Sequence, residues 1–186
     1  MQALDLLLNR VSVGRLLEPA PDAAQRELLF RAALRAPDHG QLRPWRFLTV
    51  EGAARARLGE LFATALAAGN PEVKPEALDK ARAMPLRAPL LVVVIARISA
   101  HPKVPEQEQL LAVGCAAQGI LLAAHAQGFG AMWRTGELCY DARVRDGLGL
   151  EANERIVGFV YLGSVEGERR VPPALEPADF VGAWQG

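Results

Sequence analysis

Leu90-Leu91-Val92-Val93-Val94-Ile95-Ala96 is an unbroken apolar run, rich in β-branched residues and framed upstream by Pro85 and Pro89. A run of this length and kind predicts a strand covered on both faces and central in its sheet. Upstream, residues 75–84 read as a helix, and residues 53–69 as an alanine-rich one that Gly69-Asn70-Pro71 ends. Residues 46–50 read as a short strand before it, so strand and helix alternate. Downstream, residues 105–127 read as one long helix, apolar on nearly every side between Leu110 and Ala126 and closed by Gly128 and Gly130. That stretch is short for a membrane span and contains Gln118, so a buried central helix is expected. Residues 131–134 and 156–162 then read as strands, with a short helix over 141–148 between them.

At the other end, Leu4, Leu7, Leu8 and Val11 fall at i, i+3, i+4 and i+7, predicting an amphipathic first helix that stops near Asn9 and Arg10. Asp22 with Gln25 forms a capping box, and Leu28, Leu29, Ala32, Ala33 and Ala36 carry the helical spacing on to Pro37. After Gly167, the prolines 172, 173 and 177 exclude a regular element until Phe180 and Val181. Residues from about 168 to 186 are therefore expected as an extended tail packed on a neighbour. With no internal repeat, linker or charge block, residues 1–186 are read as one domain.

The chain has 186 residues, with 21 basic against 21 acidic side chains. No field for polyanions is built in, which argues against a nucleic-acid partner. Cys115 and Cys139 form no disulfide framework, and Cys115, in the apolar helix, is expected to pack as a small hydrophobe. That usage fits a reducing cytoplasm. Met1-Gln2-Ala3-Leu4-Asp5 has neither the positive segment nor the cleavage site of a secretory signal, so the chain is read as unprocessed, with no membrane partner.

Common catalytic signatures are missing. There is no Walker A sequence, and Gly128-Phe129-Gly130 lacks the third glycine of a dinucleotide-binding turn. In Gly163-Ser164-Val165-Glu166-Gly167 the serine adjoins the glycine, unlike a hydrolase elbow. His39, His101 and His125 are far apart, and none has a partner at zinc-site spacing, so no metal is expected. His125, on the apolar helix, reads as a hydrogen-bonded core residue, and His101, before Pro102, as an exposed one. His39 lies within residues 35–45, where a helix end, a glycine and polar side chains converge before a strand.

Two clusters remain for chemistry. Arg10, Ser12 and Arg15 offer an arginine pair with a hydroxyl, suited to a phosphate; the alternative is a solvated helix end. Arg134 and Thr135, between Trp133 and Gly136, form a second cation and hydroxyl pair. Its alternative is an ordinary strand end with a surface salt bridge.

Asn9-Arg10-Val11-Ser12 with Arg15 resembles the R-R-S-x-R opening of the nitroreductase family. Residues 36–47 resemble that family's P-S-x-x-N-x-Q-P-W-x-F segment, residues 123–133 its A-x-x-x-G-x-G-x-x-W stretch, and residues 156–163 its closing strand. The order is kept over most of the chain, and the detail is most similar to a compact bacterial subgroup. The resemblance implies an α+β fold with a mixed central sheet flanked by helices. It also implies a homodimer built around long helices, FMN at the interface in contact with both subunits, and NAD(P)H as reductant. Arg10, Val11, Ser12, Trp133, Arg134 and Thr135 match FMN-contacting positions, and Arg35 and His39 match positions that reach FMN from the other subunit. Ala123, Ala124, His125, Ala126, Gln127 and Gly128 fall on the segment that takes the nicotinamide cofactor.

Such an enzyme needs no catalytic side chain, because the cofactor carries the chemistry. The resemblance implies ping-pong hydride transfer through flavin N5 to an electron-poor acceptor: a nitroaromatic, quinone or enone. Rival readings are a flavin-binding protein for storage or redox sensing, and a flavin dehydrogenase specific for one metabolite. Three residues depart from the family pattern. Val11 replaces an arginine, whose contact is to be made by backbone, replaced from elsewhere or lost; Gln41 replaces an asparagine and Arg43 a glutamine, for which reorganised hydrogen bonding to the ring is expected, and the guanidinium of Arg43 also suits an anionic substrate or reduced flavin.

Overall fold

The structure, a computed structural model, describes residues 2–186. Its sheet contains β1 (Trp45–Glu51), β2 (Leu90–Arg97), β3 (Gly130–Arg134) and β4 (Glu154–Gly163), in the spatial order β1-β2-β4-β3. The apolar run is an inner strand, and Leu90 to Ala96 have no solvent exposure. Leu90, Val92 and Val94 face α5 (Glu106–Ala126) and α2 (Ala23–Ala33). Leu91, Val93 and Ile95 face α3 (Ala53–Gly69), α4 (Pro75–Ala83) and α6 (Ala142–Gly147). Helices on both faces explain why the strand does not alternate with polar residues.

Elements and class agree with the α+β expectation, but the mixed sheet does not form within this chain: every ladder is antiparallel. The reason is topological. β2 and β3 run in the same direction, joined by α5, yet β4 inserts between them and pairs antiparallel with each.

The reciprocal cap of α2 is present, with the Gln25 N–H donating to Asp22 Oδ1 at 2.9 Å and the Asp22 N–H donating to Gln25 Oε1 at 2.8 Å. Where α2 crosses α5, a Cβ on Gly119 would lie 2.9 Å from the Ala32 carbonyl oxygen, so only glycine allows that approach.

The buried central helix is corrected. α5 buries Val113, Ala116, Ala117 and Ile120, but its opposite side is open: Leu111 is 62 % exposed, and Cys115, expected to pack in the core, is exposed as well. The sheet and α2 can cover only one side of a helix. Length and hydropathy alone would let α5 cross a membrane, yet half of the apolar window is buried inside the fold. The same contrast holds for α1 (Ala3–Asn9), which forms as its spacing predicts but leaves Leu4, Leu7 and Leu8 exposed. In the tail the only regular piece is a 3₁₀ turn at Pro177–Asp179, and Val171, Leu175, Phe180 and Val181 are exposed, with Trp184 at 93 %.

Candidate functional site

The segment after α1 follows the β3 edge of the sheet. The Val13 N–H donates to the Ala131 carbonyl at 3.0 Å, the Leu16 N–H to the Arg87 carbonyl at 3.0 Å, and Leu17 and Ser164 exchange backbone bonds. These bonds hold Gly14 against Arg134. Arg134 Nη2 donates to the Gly14 carbonyl at 3.3 Å, and its guanidinium carbon lies 5.4 Å from the centre of the Tyr161 ring, a cation–π distance. Arg134 Nε is buried and has no partner. Leaving a buried charged donor unbonded costs about 1–3 kcal/mol or more, which sets this atom apart from the other arginine donors of the sheet. The alternative of a surface salt bridge at this strand end is not what forms.

Beside Arg134 lies a cavity of about 280 Å³, walled by Met84, Met132, Trp133, Thr135, Tyr161 and Arg87 among others. Arg87 ends the 3₁₀ turn Met84–Arg87 and also lines a cleft of about 450 Å³ with Gly14 and Arg15. Burial raises the pKa of the Tyr161 phenol, while the nearby charges of Arg134 and Arg87 oppose that rise. Cys139 lines the same cavity, but burial pushes its thiol up to about 11. It is therefore a thiol at neutral pH and a poor nucleophile. Trp133 is held by its Nε1–H donating to the Val157 carbonyl at 3.3 Å, over a glycine, Gly158, where a Cβ would collide with the indole.

A second cationic group gathers at the end of α5. Arg169, from the segment after β4, donates through Nη2 to the carbonyls of Gly128 at 2.6 Å and Phe129 at 3.1 Å, just past the helix end. Its Nη1 lies 3.4 Å from His125 Nδ1. Burial, then Arg169, then Arg10 hold the His125 pKa below the ordinary range, so Arg10 shares this neighbourhood. His125 is buried, as its helix position implies. Of the proposed nicotinamide segment, Ala124 is also buried, Ala123 and Gln127 are half-buried, and Ala126 and Gly128 face outward. Val11 is buried and Ser12 half-buried between the two groups.

Arg35 and His39 lie elsewhere. His39 Nδ1 is 2.6 Å from Glu108 Oε2 in the first turn of α5, and Arg35 is exposed. From Glu108 to His125 the helix rises roughly 25 Å, so His39 does not meet Arg10 and Arg169 within one chain. In the same segment Gln41 (φ 53°) and Arg43 (φ 49°) both take the left-handed conformation, and the Arg43 N–H donates to Asp38 Oδ2 at 2.7 Å. Two such residues so close together mark a strained turn. Between the histidine and the sheet edge, Leu110, Leu111, Gly114 and Cys115 of α5 form an open groove with Trp133 and Val157.

Sequence reasoning missed Arg87 and Arg169. Arg87 follows a proline turn, and Arg169 sits in a polar segment; neither has a local pattern that tells where it docks. Among the described residues no group of three His, Cys, Asp or Glu side chains comes together to hold a metal ion.

The model of the nitroreductase family matches residues 7–164. "Putative NAD(P)H nitroreductase YdjA" of Escherichia coli K12 is 45 % identical over 165 residues, covering 88 % of each chain. Among solved structures, a nitroreductase-like family protein of Bacillus cereus superposes with a TM-score of 0.85 at 21 % identity, covering 100 % of this chain and 97 % of that one. A nitroreductase of Bacteroides fragilis with bound FMN gives 0.75 at 23 % identity, covering 98 % of both.

Proposed function

The chain belongs to the nitroreductase family, and from that premise we propose that it is an FMN-dependent oxidoreductase using NAD(P)H to reduce an electron-poor acceptor. The observation that carries the proposal is the buried, unpartnered Nε of Arg134 at a cavity edge, a donor that the polar edge of a flavin would satisfy. A flavin with its phosphate fits the donors present. Arg10, Ser12 and the backbone of Val11 would hold it together with Trp133, Arg134 and Thr135, and the charge that Arg10 and Arg169 bring to the end of α5 suits the phosphate. Bound FMN would supply ping-pong chemistry, a hydride from NADH or NADPH accepted at N5 and then passed to a nitroaromatic, quinone or enone. The side chains around it bind, orient and exclude water; no catalytic side chain is assigned. Ala123 to Gly128 are the proposed nicotinamide-side segment, through the outward-facing Ala126 and Gly128.

The working unit is proposed to be a cytoplasmic homodimer of one-domain chains. Its support is the open apolar side of α5, the exposed leucines of α1 and the apolar tail residues, which a second copy would cover. The same pairing would bring Arg35 and His39 of one copy toward the flavin of the other. The test is the visible spectrum of the purified protein, followed by anaerobic titration with each nicotinamide. A yellow protein whose flavin bleaches on NADH or NADPH is expected. A colourless protein that binds no added FMN overturns the proposal, and a flavin that stays oxidised supports storage instead.

A further inference from the structure

Resting on the flavin reading above, one property of the site reaches beyond it: the cations outnumber the charges a flavin brings. Arg15 and Arg87 line one cleft and Arg87 and Arg134 one cavity, and among the described residues neither these three nor Arg10 and Arg169 form a salt bridge. A phosphate monoester carries about −1.5 to −2, and a reduced flavin ring adds one more. Arg169 docks at the end of α5, where the charge of Arg10 is also felt at His125, and Arg134 offers its free Nε at the cavity edge. Arg15 and Arg87 remain. They line one cleft, Arg87 also lines the cavity beside Arg134, and neither space has a carboxylate in its wall. Neighbouring guanidinium groups with no carboxylate between them repel one another, an arrangement that an incoming anion relieves.

We infer that the acceptor is an anion whose carboxylate docks on Arg87, in the cleft that Arg87 shares with Arg15, while the flavin edge lies at the cavity beside Arg134. Met84 and Met132 give that cavity adaptable walls suited to a flat ring. The planar fork of Arg87 suits a carboxylate better than a lysine would.

The probes are 4-nitrobenzoate and 4-nitrobenzamide, which share ring and nitro group and differ by one charge. Each two-electron turnover oxidises one NAD(P)H, takes up one solvent proton and converts the nitro group to nitroso and water, so nicotinamide consumption reports the rate. The quantity compared is the ratio of kcat/KM for the anion to that for the amide, in which intrinsic reactivity cancels between variants. Arg87→Gln is expected to lower that ratio about tenfold or more, the size of one lost charge-assisted hydrogen bond. Arg87→Lys, which keeps the charge but loses the planar fork, is expected to fall between wild type and Arg87→Gln. By titration calorimetry, flavin-free wild-type protein is expected to bind 4-nitrobenzoate more weakly as salt rises, and Arg87→Gln to lose that binding.

The inference is overturned if Arg87→Gln leaves the ratio within twofold. It is also overturned if that variant weakens FMN binding by the same factor, or raises only the KM for nicotinamide, since Arg87 then serves a cofactor. Failure to bind FMN or to reduce either probe sinks the reductase reading instead, and the calorimetric arm still decides whether the anion site exists.

Discussion

Arg46 and Arg134 stand on the two edge strands of one sheet and have opposite surroundings. Arg46 is met by Glu154, a carboxylate only 2 % exposed, through two bonds of 2.6 Å, and Arg97 and the Glu151 N–H add further contacts to the same group. Arg134 is met by one carbonyl at 3.3 Å and the face of a tyrosine, with its Nε unbonded. The first arginine is fully compensated inside the fold, whereas the second keeps an unpaired donor, the feature on which the proposed cofactor site rests.

Removing Glu154 breaks the satisfied side of this contrast and has the largest expected effect. Glu154→Ala leaves Arg46 and Arg97 facing a buried gap and should cost about 3 kcal/mol, the low end for breaking a buried pair because Arg46 is partly exposed. Urea unfolding measures it. Acid should reproduce part of the loss. The bonds from Arg46 hold the Glu154 carboxyl below the usual carboxylate range, so its folded pKa lies under its unfolded one. Its stabilisation is therefore complete above about pH 4.3, the unfolded value, and disappears as pH falls through the folded value. Glu154→Gln should flatten that acid limb; an unchanged limb would assign it to other carboxylates.

The opposite side of the contrast is tested by Arg134→Met, for which FMN affinity and stability should part company. FMN binding is expected to weaken ten- to a hundredfold, read by flavin fluorescence, because one charge-assisted bond is lost. Stability should stay within about 1 kcal/mol, since the long bond to Gly14 and the contact with Tyr161 are lost but an orphaned donor goes with them. A collapse of stability with FMN affinity kept would reverse the roles assigned to the two arginines.

The smallest effect sharpens the same distinction at the level of helices. Leu111 is mostly exposed on α5, so Leu111→Asp should leave the fold of a single chain intact while weakening self-association about tenfold in sedimentation equilibrium. Loss of the folded chain itself would show that the open side of α5 is covered from within.

What could be read directly from the sequence is what local physics controls. The β2 run announced a doubly covered strand because every residue in it is apolar, and the reciprocal Asp22 and Gln25 cap is present because its donors and acceptors lie three residues apart. The end of α3 at Gly69 follows from the Gly69-Asn70-Pro71 punctuation. The motifs around Arg10, His39 and Arg134 were likewise visible, because their residue types and order lie in the string itself.

Tertiary structure alone decided the rest. Whether β4 enters between β2 and β3 depends on pairing between residues far apart in the chain, and that insertion turned an expected mixed sheet antiparallel. An apolar helix has no internal record of which side its neighbours cover, so α5 and Cys115 proved half open and exposed. Arg87 and Arg169 joined the site through long-range packing, and only there did it emerge that one arginine of the sheet has a carboxylate and another has none. The sequence named the residues capable of chemistry; three-dimensional proximity determined which of their charges remained unpaired.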